Sequence, residues 1–175
     1  MVLEQKLFSQ QDCEYIKSFY DNAVEKDEKG FKIITDKYPE GINIKDGSAV
    51  SWNEIQNETL DRFLLSKLNQ IVIVSLPYLK LMRYGIGNEM KPHRDFQAYS
   101  TDKIYRSTTI QLSNSSEYKG GRLFVEGVEA SNEQGTAIMF NPYHKHWVTE
   151  ITDGERWVIV AFLEESHFKQ TKSLL

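Results

Sequence analysis

Apolar and polar positions along this chain follow two different periods, and the change falls near Pro77. Before it, "FSQQDCEYIKSFYDNAVEK" sets Cys13, Ile16, Phe19 (or Tyr20) and Ala23 three or four residues apart, one stripe of a helix. Ser9 stands where an N-cap belongs and Asp12 follows three residues later, the pattern of a capping box. On that stripe Cys13 reads as a small buried hydrophobe. "GFKIITDKYPEGINIKDGSAVSW" interrupts β-branched pieces with Gly and Pro, which predicts one or two strands among loops. "NETLDRFLLSKLNQIVIV" then brings Leu60, Phe63, Leu64 and Leu68 to helical spacing, a second amphipathic helix whose leucines are core.

After Pro77 the pieces are short: "YLKLMRYG", "EMKPHRDF", "STTIQLS", "RLFVEG", "TAIMFN", "HKHWVTEI" and "RWVIVAFL". The turns between them are "GIG", "SSEYKGG", "SNEQG" and "TDG", with Gly120–Gly121 and Asp153–Gly154 supplying positive φ. Strands at this spacing without intervening helices predict an antiparallel sandwich or barrel, with the two helices on one sheet's outer face. The expected organisation is one domain over residues 1–175, with helical support over about 9–74 and a β core over about 78–163. The chain has no internal repeat, low-complexity segment or linker.

Composition narrows the class. A chain of 175 residues buries ~70% of its unfolded surface and holds a core without staples. The net charge of -4 and pI near 5.6 argue against electrostatic capture of nucleic acid or an anionic membrane. One cysteine, Cys13, permits no internal disulfide, which suits a reducing cytoplasm. The start, "MVLEQKLFSQQD", lacks the apolar core of a signal peptide, and "IVIVSLPYL" is too short to span a bilayer. A cytoplasmic protein is the expectation.

Chemistry concentrates in two places. In "KPHRDFQ", His93 and Asp95 sit two apart, so on a strand both aim to one side. That spacing serves two metal ligands, or equally two polar groups facing water. Far downstream, "FNPYHKHWVTEITDGERW" carries His144, His146 and Arg156. A jelly-roll barrel can bring His93, Asp95 and a distal histidine together. Two imidazoles and one carboxylate with positions left open form the facial arrangement of non-haem Fe(II) oxygenases, unlike the closed shell of structural zinc. Arg156 opens the strand "RWVIVAFL", apolar on both faces, and a buried guanidinium needs an anion, such as the far carboxylate of a dicarboxylic co-substrate. His167, in "EESHFKQTKSLL", reads as a solvated end.

From Leu79 to Leu163 the sequence resembles the prolyl 4-hydroxylase-type 2-oxoglutarate/Fe(II) dioxygenases. "LMRYGIGNEMKPHRD" is similar to that family's tyrosine, glycine turn and His-x-Asp. "STTIQLSNSSEYKGGRLFVEG" is similar to its strand, acidic loop, Gly-Gly turn and next strand. "GTAIMFNPYHKHWVTEITDGERW" is similar to its distal segment, in which the metal histidine precedes the co-substrate arginine by the His146-to-Arg156 interval. The resemblance implies a double-stranded β-helix (jelly roll, cupin-like), mainly β with N-terminal helices. It implies Fe(II) on His93, Asp95 and His146, and 2-oxoglutarate anchored at its C5 carboxylate by Arg156 and lined by Tyr84. His144 misses the interval by two residues and lies just after "NPY", where the strand is less regular. Many members carry a tyrosine where this chain has Gln111; Gln111, with Ser107 and Thr109 on the same strand face, is expected to take that role.

The implied reaction consumes O2 and decarboxylates 2-oxoglutarate to succinate and CO2 while hydroxylating a C–H bond, with ascorbate as reductant. The family-based substrate is a prolyl residue in a peptide or protein; small molecules remain open. "FQAYSTDKIYR" and the segment Gly30–Trp52 are candidate lids. Two other readings stand beside this one. A cupin-type metalloprotein that does not use 2-oxoglutarate suits His144 with His146 but leaves Arg156 without a purpose. A metal-free jelly-roll binding module must dismiss all four residues as coincidence.

Overall fold

The computed structural model describes residues 1–23, 51–54, 57–72, 74–95 and 104–165. Most of Gly30–Trp52, residues 96–103 of the other expected lid, and His167 lie outside the described residues.

Both predicted helices form, for the reasons legible in their ends. Helix α1 spans Gln10–Ala23. Ser9 N–H donates to Asp12 Oδ2 at 2.8 Å and Asp12 N–H donates to Ser9 Oγ at 3.1 Å, a reciprocal capping box. Helix α2 spans Glu58–Leu68, and Asn57 Oδ1 caps it by accepting from Thr59 N–H and Leu60 N–H. It stops at Leu68, with Asn69 as its C-cap, so "IVIV" is not its continuation.

The described residues form twelve strands, numbered in chain order. They are β1 (Leu3–Lys6), β2 (Ser51–Glu54), β3 (Val74–Tyr84), β4 (Met90–His93), β5 (Ile104–Gln111) and β6 (Tyr118–Gly120). Then come β7 (Leu123–Val125), β8 (Val128–Glu129), β9 (Thr136–Phe140), β10 (His146–Val148), β11 (Ile151–Gly154) and β12 (Arg156–Glu165). They form a six-stranded sheet in the order β1-β9-β5-β12-β3-β2 and a four-stranded sheet in the order β4-β10-β7-β8, with β11 and β6 as a separate pair. The pairings are antiparallel, and the two sheets enclose a double-stranded β-helix.

Two departures from the sequence expectation have physical causes. Strand β3 starts at Val74 and runs through Pro77, where a proline was expected to end the preceding region. Its ladder with β12 shifts register between Phe162 and Glu164, opposite Tyr78 and Ser75, so the missing N–H falls at an irregularity. Asp153–Gly154 is not a free turn but part of β11, paired with β6. A Cβ on Gly154 would sit 2.0 Å from the Glu117 carbonyl oxygen, so close backbone approach, beyond its φ of 70°, requires glycine there.

Alternation along the long strands splits the apolar residues into two layers. Leu79, Leu81, Ile110, Ile159, Ala161 and Leu163 face the helices, where they meet Cys13, Ile16, Leu60, Leu64 and Leu68. Met82, Tyr84, Val158, Ile138 and Phe140 face the interior between the sheets, with Leu123, Val125 and Val148 from the smaller sheet. The expected packing of the helices on one outer face is what the structure has, and it leaves the barrel interior to the site. No helix among the described residues is long and apolar enough to cross a membrane.

Candidate metal and co-substrate site

Strands β4 and β10 pair with His146 opposite His93, which brings their ring centroids to 4.2 Å. Asp95 reaches the same point differently from the expectation. Strand β4 ends at His93, and Asp95 lies just beyond it, held by its N–H donating to the Pro142 carbonyl at 3.1 Å. A chain bend, rather than strand alternation, therefore aims the carboxylate. Asp95 Oδ1 lies 3.5 Å from Nε2 of His93 and 3.5 Å from Nε2 of His146, and the three ligand atoms fall within 4.8 Å of one another.

The other ring nitrogens are held by backbone. His93 Nδ1 lies 2.7 Å from the Lys91 carbonyl oxygen and His146 Nδ1 lies 3.0 Å from that of His144. A proton on Nδ1 satisfies each contact and leaves the Nε2 lone pair aimed at the common centre. Burial alone would raise the Asp95 carboxyl, but the imidazoles of His146 and His93 override it and hold the group well below the usual carboxylate range. Burial likewise would lower His146, and Asp95 overrides it to raise the imidazole. The cluster attracts positive charge, and a divalent cation would displace the protons it shares. Two imidazoles and a carboxylate on one side of a cavity match a metal with open coordination positions.

His144 sits in the turn before β10, where its N–H donates to the Asn141 carbonyl at 2.9 Å. Its carbonyl orients His146, while its ring is outside the cluster.

Arg156 begins β12 with no exposed surface at all. Its three guanidinium nitrogens are buried without a hydrogen-bond partner of normal geometry among the described residues. Its Cζ stands 5.3 Å from the centre of the Tyr84 ring, the residue opposite it in the ladder. A cation so placed is costly to bury unless something anionic joins it. Both residues line the same cavity as the His–Asp–His cluster, and Met82, Leu123, Val148 and Val158 contribute apolar wall to it. Burial pushes the Tyr84 phenol up, which keeps its hydroxyl a donor.

Thr109 and Ser107 line the cavity as well. Gln111 does not: its Nε2 donates to the Ser131 carbonyl at 3.5 Å, turned toward the loop before β9. Sequence reasoning missed Lys80, which is buried to 3% exposure and lines the cavity. Alternation held the signal, since Lys80 shares the strand parity of Met82 and Tyr84.

The Gly-Gly turn does more than bend the chain. A Cβ on Gly121 would lie 2.3 Å from Ile151 Cδ1 and 3.0 Å from Arg156 Cδ, at a φ of 60°. Gly121 is thus the gap through which the arginine stem passes. Gly121→Ala is expected to destabilise by about 1–3 kcal/mol through strain and overpacking. Thermal unfolding checks this, and Ile151→Val in the same chain should recover part of the loss by removing the nearer clash. An unchanged melting temperature would show the seat to be loose.

Residues 79–164 match the family model described as the 2OG-Fe(II) oxygenase superfamily. A PKHD-type hydroxylase of Rippkaea orientalis is 29% identical over 129 residues, which cover 68% of this chain and 58% of that protein. The chain therefore spans less than two thirds of that relative's length. Among solved structures, a Pseudomonas putida prolyl-4-hydroxylase superposes with a TM-score of 0.66 at 14% identity, covering 94% of this chain and 92% of the other. An alpha ketoglutarate-dependent carbocyclase from nogalamycin biosynthesis superposes at 0.69 with 8% identity, covering 94% and 79%. These likenesses carry the fold.

Proposed function

We propose that this chain, which belongs to the 2OG-Fe(II) oxygenase superfamily, is a 2-oxoglutarate- and Fe(II)-dependent dioxygenase that hydroxylates a C–H bond of a second substrate. The observation that carries the reading is Arg156, a fully buried guanidinium without a hydrogen-bond partner of normal geometry among the described residues, in the same cavity as a His–Asp–His cluster. A dicarboxylate with a 2-oxo acid at one end answers both features at once. A metalloprotein that did not use it would leave the arginine's charge uncompensated.

His93, Asp95 and His146 would hold the metal through Nε2, Oδ1 and Nε2. Fe(II) held there supplies the dioxygen chemistry that couples decarboxylation of 2-oxoglutarate to succinate and CO2 with insertion of one oxygen atom into a C–H bond. Arg156 would grip the far carboxylate with two parallel N–H donors. Tyr84, protonated, would donate its hydroxyl to the same anion. The walls of Met82, Leu123, Val148 and Val158 keep water from the contact and so strengthen it.

The second substrate we infer is a prolyl residue of a peptide or protein. The Pseudomonas putida prolyl-4-hydroxylase and the PKHD-type hydroxylases support this choice. The carbocyclase shows that one fold serves other chemistry, so the site's own residues must decide.

The direct test is iron analysis together with 2-oxoglutarate consumption in the absence of any second substrate. Iron at one per chain and slow succinate release are expected; a protein that retains iron yet never consumes 2-oxoglutarate would overturn the proposal. A pair of variants tests the ligand assignment. His146→Ala is expected to lose both iron and turnover, while His144→Ala keeps its iron, since its ring is outside the cluster. The reverse pattern would move the metal.

A further inference from the structure

One row of the large sheet's inner face runs Phe140, Ser107 and Phe162 across β9, β5 and β12. All three residues line the cavity and none is more than 5% exposed. Strand parity turns them inward, because Met139, Ala161 and Leu163 beside them face the helices. Arg156 opens β12 and Phe162 lies toward its other end, so the row stands at the opposite end of the wall from the guanidinium. It stands beside the metal cluster instead: the Phe140 ring packs on the ring of His146 with 4.7 Å between centroids.

Two rings therefore flank one hydroxyl next to the candidate metal ligands. Ser107 Oγ is buried and has no hydrogen-bond partner among the described residues. A buried hydroxyl in that state costs stability until a polar atom of a ligand meets it. On the reading above, 2-oxoglutarate places its far carboxylate on Arg156 and its keto-acid end on the metal. The row is then left to the molecule that is oxidised. Aromatic walls with a single polar group that fixes orientation are the usual make-up of a small-molecule or side-chain pocket.

Charge limits what that molecule can bring. The charges of Fe(II), Asp95, Arg156 and doubly ionised 2-oxoglutarate cancel. Lys80, one row along, is not a free cation: it is engaged, and Glu54 stands opposite it in the ladder of β2 and β3. A charged group pushed against Phe140 and Phe162 would be buried without a counter-ion, whereas an amide carbonyl can accept from the hydroxyl at no such cost.

We propose that Phe140, Ser107 and Phe162 form the subsite that receives the oxidised residue, the two rings against its apolar body and the Ser107 hydroxyl donating to its carbonyl oxygen. The substrate class is then an uncharged, apolar residue in amide linkage on its carboxyl side, so a residue within a peptide rather than a free amino acid. Ser107 is the specificity-determining residue for that linkage. This inference rests on the dioxygenase reading and sharpens its choice of substrate.

The probes are N-acetyl amino acid methylamides covering the encoded side chains, with the matching N-acetyl acids, each offered to the Fe(II)-loaded full chain with 2-oxoglutarate and O2. Product is read as a gain of one oxygen in mass. Binding is read separately by titration of the Mn(II)- and 2-oxoglutarate-loaded protein. At least one methylamide with an apolar side chain is expected to bind roughly tenfold or more tightly than its own acid and than every methylamide with a charged side chain. Ser107→Ala should weaken that methylamide about fivefold, the worth of one neutral hydrogen bond, and leave 2-oxoglutarate affinity and iron content unchanged. Ser107→Thr, which keeps the hydroxyl, should recover most of the loss. Phe162→Ala should weaken every apolar methylamide and leave the methylamide-to-acid ratio in place. Acids that match their methylamides, a charged side chain bound best, or no binding by any methylamide overturns the subsite. So does a Ser107→Ala variant that loses 2-oxoglutarate affinity with no second substrate present, since the hydroxyl would then serve the co-substrate. Succinate release by the wild-type protein without second substrate tests the dioxygenase reading on its own, so the two can fail separately.

Discussion

Asp95→Ala is expected to bind Fe(II) at least ~100-fold more weakly than the native chain and to release no succinate above background. Outer partners of metal ligands already cost about 10–100-fold when removed, and Asp95 is assigned as a direct ligand. It is also the only anion in the cluster, so its loss leaves two neutral imidazoles facing a dication. The fold should survive. The partners of the carboxylate are the two histidines, and each can shed its proton rather than stand as a stranded buried charge. Asp95→Asn isolates the charge from the shape and is expected to fall between. Iron content by mass spectrometry and melting temperature of the metal-free protein check both halves of the claim. Native-like succinate release by Asp95→Ala would remove His–Asp–His as the metal site.

The route to that site shows what a single sequence carries. Local chemistry was legible where it is self-contained. Ser9 and Asp12 cap a helix with each other, and the stripe through Cys13 and Ile16 lands buried. A run apolar on both faces put Arg156 in a buried strand, and the irregular "NPY" stretch set His144 apart from the strand that starts at His146. What the sequence concealed depends on partners distant along the chain. Strand β1, "LEQK", is wholly exposed and carries no apolar alternation; it is a strand because the edge of β9 offers it hydrogen bonds. Asp95 looked like the strand neighbour of His93, yet the Pro142 carbonyl, forty-seven residues on, fixes its turn. Gln111 had the right parity for the cavity, but parity sets only where a side chain begins; Ser131 decides where its amide ends. Lys80 was passed over because a lysine in an apolar run reads as an edge or surface residue until both its strand neighbours are seen to face the helices.

Arg156→Met is expected to make the ligand-free protein as stable as the native chain or more so, and to raise the 2-oxoglutarate requirement thirtyfold or more. The two effects share one cause. A guanidinium with no exposed surface and no partner of normal geometry among the described residues is a standing cost to the fold. An unbranched apolar side chain fits the same channel past Gly121 and removes that cost. Once 2-oxoglutarate enters, the balance reverses: losing the partner of a buried charge costs about 2–5 kcal/mol, or thirtyfold and above in affinity. Iron binding should change little, because Arg156 is not among the ligand atoms of the cluster. Arg156→Lys keeps a point charge without the fork and should lose part of the affinity. Thermal unfolding reads all of this in one series. With iron or manganese present, 2-oxoglutarate at 100 times its dissociation constant adds about 2.7 kcal/mol to the native chain, roughly 5–10 °C in a chain of this size. The same addition should leave Arg156→Met nearly unmoved. If iron affinity and 2-oxoglutarate affinity fall together with the melting temperature, Arg156 is holding the barrel rather than a carboxylate, and the dioxygenase assignment loses the observation that carries it.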